Sequence, residues 1–336
     1  MGKNKGILLL NLGTPKSPKL KDVYHYLREF LSDPYVIDKN WLIRTLLVYG
    51  IIVPFRIFRV QREYQKIFDE KKGMPLNYYT ESTSQKLQEL LPSYEVRWAM
   101  RYPYSSLKAT LLDFKQMQVK ELIILSLFPQ YATSTTGSLI QVILGELKKW
   151  SVVPPFRFLH SFWDNPDVIQ AFSEQARPYL EKEDYDKYVF SYHGLPERHL
   201  KKAHTELCQM GECCLSAEAD PYCYRANCFG TTEKIRNHLS LAKDKCITTF
   251  QSRLGRSPWI KPYTDEVIVN LPKSGVKRVL LFTPSFVSDC LETIIEVRET
   301  YAKAFQTAGG EYLKQVPCPN DSPDWINTLK KMVENS

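Results

Sequence analysis

With 336 residues, the chain is more than twice the ~150 residues of a typical domain, so two domains are expected, each able to bury a core. Hydrophobic residues at 43% and charged residues at 24% exclude a disordered or collagen-like chain. The net charge of +8 (45 Lys and Arg against 37 Asp and Glu) is too diffuse for a nucleic-acid binder, and suits an anionic ligand or a membrane surface.

From the N-terminus, MGKNKGILLLNLGTP has too short an apolar core and no small-residue cleavage site, so it does not read as a signal peptide. No apolar run reaches the ~18 residues of a membrane span. The chain is therefore expected in a reducing cytosol. Apolar, β-rich runs at 6–12, 94–100, 121–127, 156–160, 188–192, 246–250 and 276–283 alternate with helical periodicity at 20–31, 81–91, 138–150 and 168–180. This predicts an α/β fold with parallel sheets covered on both faces. Two open units fit the length; a closed (β/α)₈ barrel is the runner-up.

Residues 41–68, WLIRTLLVYGIIVPFRIFRVQREYQKIF, mix large apolar side chains with Arg44, Arg56, Arg59 and Arg62. Pro54 is expected to split the segment into two helices, too short to span a bilayer. It is either a buried hairpin or a lip that docks on lipid or an apolar ligand. VKELIILSLFP from Val119 resembles VKRVLLFTP from Val276, and NLGTP from Asn11 resembles YHGLP from Tyr192. Each is an apolar strand running into a Pro-containing loop, which suggests a duplication. Loops at the carboxyl ends of such strands carry the ligand site. The loop 128–137, FPQYATSTTG, offers hydroxyls there, and FQSRLGRSPW at 250–259 adds arginine and a large flat ring.

His193 ends a predicted strand beside Gly194, which raises a functional reading to parity with a structural one. Of eight cysteines, Cys208, Cys213, Cys214, Cys223 and Cys228 crowd into 21 residues. A cytosolic chain does not keep a disulfide framework, so a metal or cluster is indicated, with the metal left open. Glu292, Glu296 and Glu299 fall at i, i+4 and i+7, on one face of an α-helix. They form either a solvated stripe or a carboxylate ladder that binds a cation or carries protons. Neither GxGxxG nor GxxxxGK[ST] occurs, which disfavours nucleotide chemistry.

LLLNLGTP, YLREFLSDPYVI, FPQYATSTTGS, FSYHGLPER, TFQSRLGRSPWIKPYTDE and FVSDCLETIIE, in this order from residue 8 to 296, resemble the signatures of the ferrochelatases. The resemblance implies two Rossmann-like halves, 1–155 and 156–336, around a central porphyrin cleft. The lip falls at about 41–76 in the first half. The second half carries His193, the cysteine-rich insert 203–228 and Glu292, and leaves the last helix free to pack back on the first half. It also implies a lyase that inserts substrate Fe²⁺ into a porphyrin, the terminal step of haem synthesis. Protoporphyrin IX is favoured by the apolar lip; coproporphyrin III, or cobalt or nickel insertion, is the alternative. A non-catalytic tetrapyrrole carrier and an iron–sulfur electron carrier are more distant ones.

By motif, His193 and Glu292 match the substrate-iron site and Glu296 the next carboxylate of the helix. Arg101, Tyr102, Tyr131, Ser134 and Trp259 match positions lining or bordering the porphyrin pocket. Met74 replaces a usual serine, and Phe128 stands where some relatives have tyrosine. The insert departs from many relatives. Since some ferrochelatases hold a [2Fe–2S] cluster, Cys208, Cys213, Cys214 and Cys223 are the expected ligands, with Cys228 the substitute and a Cys₄ zinc site the rival. Peripheral contact with the inner face of a membrane is expected, and no nucleic-acid or nucleotide partner.

Overall fold

A computed structural model describes residues 4–203, 208, 211–215, 220, 222–255 and 257–336, without the side chains of Glu212 and Leu215. The chain divides into two compact units, one of Met1–Phe128, Ala132–His160 and Leu329–Ser336, the other of Pro129–Tyr131 and Ser161–Thr328. Among the described residues each holds an open, wholly parallel four-stranded sheet, which overturns the barrel alternative.

In the first unit β1 (Lys5–Gly13), β2 (Tyr94–Tyr102), β3 (Glu121–Ser126) and β4 (Phe156–Leu159) lie in the order β2-β1-β3-β4. In the second, β5 (Lys187–His193), β6 (Cys246–Gln251), β7 (Arg278–Phe282) and β8 (Tyr312–Gln315) lie in the order β6-β5-β7-β8. The order is the same. The similar segments in the sequence are β1 and β5, and β3 and β7, which hold equivalent places. β1 and β3 begin at residues 5 and 121, β5 and β7 at 187 and 278; the longer first interval contains the segment at 41–67.

The central strands are apolar on successive residues because both faces are covered. Ile7, Leu8, Leu9 and Leu10 of β1 are fully buried, with Phe114, Leu139 and Ile143 from two helices closing one face. Val189, Val279 and Leu281 play the same part in the second unit, against Ile268, Val297 and Phe305. Strand β8 has no counterpart in the sequence reading. It is an edge strand of four residues, Tyr-Leu-Lys-Gln, too short and too polar to stand out.

The segment at 41–67 corrects the expectation of two short helices. Trp41–Ile67 is one helix of 27 residues, about 40 Å at 1.5 Å per residue, long and apolar enough to cross a membrane by length and composition. Pro54 does not break it, because Leu46–Ile52 is wound as a π-helix. The Val53 N–H bonds to the Val48 carbonyl, five residues back. That wider turn withdraws the carbonyl against which a proline ring ordinarily clashes. Nor is the segment a buried hairpin: Phe55 is 82% exposed, Leu46 69% and Trp41 66%.

Candidate active site

Because all strands of a sheet are parallel, their carboxyl-end loops gather at one end. In the second unit β5 lies between β6 and β7, so His193 is flanked by the loops that follow Gln251 and Phe282. Its backbone is fixed on both sides. The His193 N–H donates to Ser285 Oγ at 3.1 Å, and the Tyr224 hydroxyl donates to the His193 carbonyl at 2.7 Å. The ring is fixed too, since Nδ1 lies 2.7 Å from the Gly194 carbonyl oxygen. A carbonyl oxygen only accepts, so Nδ1 carries a proton, and of the two neutral tautomers this bond selects the one whose Nε2 presents a lone pair. That lone pair can take a proton or a metal ion.

Gly194 is required here by close approach. A Cβ at this position would lie 2.8 Å from the Gln251 carbonyl oxygen and 3.2 Å from Cε3 of Trp259. The Trp259 ring is thus seated against the His193 turn, with its indole N–H donating to the Leu254 carbonyl at 3.0 Å. Phe286 lies on another side, its ring centroid 6.4 Å from that of His193.

Glu292 opens the helix at its expected place after β7, but Glu292–Tyr301 is a π-helix. The carboxylate ladder is corrected accordingly. Winding of more than four residues per turn keeps Glu296 near Glu292 and rotates position i+7 away. Glu292 and Glu296 are half-buried, whereas Glu299 is exposed. The turn before Glu292 is fixed by Asp289, which accepts from Thr293 Oγ1 at 2.8 Å, Asn320 Nδ2 at 2.9 Å and an Arg298 guanidinium nitrogen at 3.1 Å. The Cys290 thiol is pushed up by burial, with the Glu292 carboxylate adding to the effect. Glu296 accepts from Tyr301, Gln251 and twice from Ser252.

Tyr131 packs edge-on to Tyr222, with ring centroids 6.2 Å apart. Its neighbour Gln130 donates to Thr231 Oγ1 at 3.1 Å and to the Pro284 carbonyl at 3.3 Å, which ties Pro129–Tyr131 to the loop after β7 within the second unit.

In the first unit, Ser134 lies half-buried in the π-turn Thr133–Gly137, where Thr136 bonds Ser126 at 3.1 Å. Arg101 and Tyr102, at the end of β2, turn to Asp33, which the sequence reading did not single out. Asp33 Oδ2 accepts from the Arg101 guanidinium at 2.6 Å, the Tyr102 hydroxyl at 2.6 Å and Ser138 Oγ at 2.7 Å. Arg101 Nε also donates to Ser138 Oγ at 2.9 Å. Burial and the Asp33 charge push the Tyr102 phenol above its ordinary range. The signal in the sequence was a lone acid, in LSDP, at the end of an amphipathic helix.

The insert lies only partly within the described residues. Cys213 and Cys214 sulfurs are 3.8 Å apart, and Cys214 packs with Cys223 and Ala226. A bond from Cys214 lowers the Cys223 thiol while raising its own, the pattern of a thiol donating to a sulfur. Cys208, half-buried, is close enough to act electrostatically on Cys223. Cys228 is instead buried against Tyr224, and burial pushes its thiol up. Soft thiolates suit a cluster or zinc, yet among the described residues no three His, Cys, Asp or Glu side chains are set to hold a metal ion.

The duplicated parallel sheets are those of the chelatase fold. The structure is similar to CbiX, described as the terminal enzyme for siroheme biosynthesis in denitrifying bacteria (TM-score 0.51, 11% identity, 99% of each chain). It is likewise similar to the sirohydrochlorin chelatase SirB from Bacillus subtilis subspecies spizizenii in complex with cobalt (TM-score 0.53, 9% identity, 99% of this chain and 94% of that one). Residues 4–336 match the ferrochelatase family. Ferrochelatases of Legionella pneumophila (strain Philadelphia 1) and Coxiella burnetii (strain CbuK_Q154) are each 39% identical, over 330 and 335 residues, covering 98% of this chain and 98% and 93% of theirs. The chain belongs to the ferrochelatase family, enzymes of haem synthesis that act as metal-inserting lyases.

Proposed function

We propose that this ferrochelatase inserts Fe²⁺ into protoporphyrin IX with His193 and Glu292 at the reacting centre. Insertion releases two pyrrole protons as four ring nitrogens take the iron, with no change in oxidation state. The observation that carries the reading is the fixed Nδ1–H of His193, which leaves Nε2 as a lone pair at the carboxyl end of β5. That atom accepts a pyrrole proton or hands over the iron. Glu292 shares in delivering the metal, and Glu296 continues the carboxylate line. Tyr131, Ser134 and Trp259 bind the porphyrin, with Arg101 and Tyr102 lining or bordering its pocket. Strain on the ring, drawn from such remote contacts, exposes the nitrogen lone pairs.

The same reading places the enzyme in the cytoplasm, resting peripherally on the inner face of a membrane through the exposed helix Trp41–Ile67. A [2Fe–2S] cluster on Cys208, Cys213, Cys214 and Cys223 has a structural or sensing role. The packing of Cys214 against Cys213 and Cys223 supports it, although the described residues by themselves form no three-ligand site. When bound, the cluster would tie the cysteines of the insert to one another, and no step of the reaction passes through it.

Porphyrin absorbance followed with and without Fe²⁺ tests the activity, without added nucleotide. Wild type is expected to form haem, and His193→Ala to lose turnover at least ~10²-fold while still binding porphyrin. Near-normal turnover in His193→Ala would remove this residue from the mechanism. Insertion of cobalt or nickel but not iron, or faster turnover of coproporphyrin III, would change the substrate.

A further inference from the structure

We propose that Ser252 is a positioning residue for metal insertion: the Gln251–Ser252 corner holds Glu296, and with it the π-helix that begins at Glu292, in register with His193. The proposal rests on the reading of His193 and Glu292 above and deepens it by one residue.

Ser252 has φ +65°, a left-handed conformation that a residue with a Cβ adopts at a cost. The angle φ sets the direction of a residue's Cβ arm relative to its own N–H. Here both donors of one serine meet one carboxylate, the N–H reaching Glu296 Oε1 at 2.9 Å and the hydroxyl reaching Oε2 at 2.5 Å. Gln251 Nε2 adds a third donor to Oε2 at 3.3 Å, and the Tyr301 hydroxyl a fourth to Oε1 at 2.6 Å. Tyr301 stands five residues after Glu296, the spacing that a π-helix brings one above the other. Each carboxylate oxygen thus has two donors, and the charge is held in place rather than left to swing.

The other end of the corner is fixed to the histidine strand. Gln251 is the register partner of His193, and its carbonyl accepts the Gly194 N–H at 2.8 Å. Its side-chain oxygen accepts from the fully buried Ser191 hydroxyl at 2.7 Å. Ser191 bonds Thr264 in turn at 2.9 Å. Two adjacent residues therefore bond both the strand that presents His193 and the helix that presents the carboxylates. Strained backbone that persists where surrounding bonds over-determine it is a feature of functional sites. Ser252 fits that description without being a catalytic residue.

The test uses the full-length enzyme with Fe²⁺ and porphyrin. Ser252→Gly keeps the N–H and tolerates positive φ, so it deletes only the hydroxyl. It is expected to raise KM for Fe²⁺ about tenfold, the effect of one hydrogen bond to a charged group, with KM for porphyrin within about twofold of wild type. Ser252→Asn, which accepts the left-handed backbone and restores a donor, is expected to recover most of the loss. Equal shifts in both KM values, or no shift in either, would overturn the proposal. If Ser252→Gly does not fold by circular dichroism, Tyr301→Phe removes the opposing donor and decides by the same criterion. An active wild type, a dead His193→Ala and a normal Ser252→Gly would reject this inference alone. An active His193→Ala would reject the reading beneath it.

Discussion

The Tyr224 hydroxyl donates to the His193 carbonyl across 2.7 Å, joining the start of the helix Tyr224–His238 to the end of β5. Tyr224 directly follows Cys223 in the chain, so the cysteine-rich segment runs straight into a group that holds the candidate catalytic histidine. Tyr224→Phe keeps the buried ring and leaves the His193 carbonyl without that donor. A loss of about 1 kcal/mol in urea unfolding is expected, with a drop in kcat and little change in KM. Unchanged kcat alongside the stability loss would separate this bond from catalysis.

Asp33 and Arg101 form an ion pair at 2.6 Å whose side chains are 2% and 11% exposed. Removing one member of such a pair leaves the other charge buried and alone. Asp33→Ala is therefore expected to cost about 3–5 kcal/mol, and the double change Asp33→Leu with Arg101→Met much less. Chemical denaturation of the three proteins checks this. A double variant as unstable as the single one would mean that the network's shape, not its charge balance, matters.

The alternation of apolar strands and helices made the parallel α/β fold legible, since a doubly covered strand must be apolar on successive residues. His193 was legible for the same reason: a strand end followed by glycine is where ligands bind. The π-windings at Leu46–Ile52 and Glu292–Tyr301 were not. They arise from hydrogen-bond choices that tertiary packing decides, and periodicity read at 3.6 residues per turn put Glu299 on the wrong face. Ser252 was hidden because nothing in FQSRLG announces a left-handed serine. Asp33, in LSDP, carries no signal of its own in the sequence beyond being a lone acid, because its partners lie 68, 69 and 105 residues away.

Purified anaerobically, the protein is expected to be reddish, with about two irons and two sulfides per chain, the content of one [2Fe–2S] cluster. Serine at Cys208, Cys213, Cys214 or Cys223 should bleach it. Serine at Cys246, Cys290 or Cys318 should not, because these lie outside the insert; Cys290 and Cys318 are buried elsewhere in the second unit. Colourless protein with one zinc and no sulfide would replace the cluster with a Cys₄ zinc site and leave the chelatase reading untouched.

The helix Trp41–Ile67 keeps large aromatic rings at its surface. Phe55 is 82% exposed and Phe58 59%, an arrangement a water-facing helix has no reason to keep. Arg56 and Arg59 stand beside them in the sequence, with Arg59 only partly satisfied by Glu63 at 3.0 Å on a side chain 79% exposed. Apolar rings flanked by arginines suit the boundary of an anionic bilayer, where the rings enter the acyl region and the guanidinium groups meet phosphates. Co-sedimentation with anionic vesicles is expected, weaker at high salt because screening acts on exposed charges. Arg56→Glu with Arg59→Glu should weaken it further at low salt. Phe55→Ser with Phe58→Ser should abolish the part that salt leaves, since burial of each ring is worth about 1.5–3 kcal/mol. Vesicle binding indifferent to salt and to both pairs of changes would reject the lip as a lipid contact, and the exposed rings would then be assigned to the porphyrin.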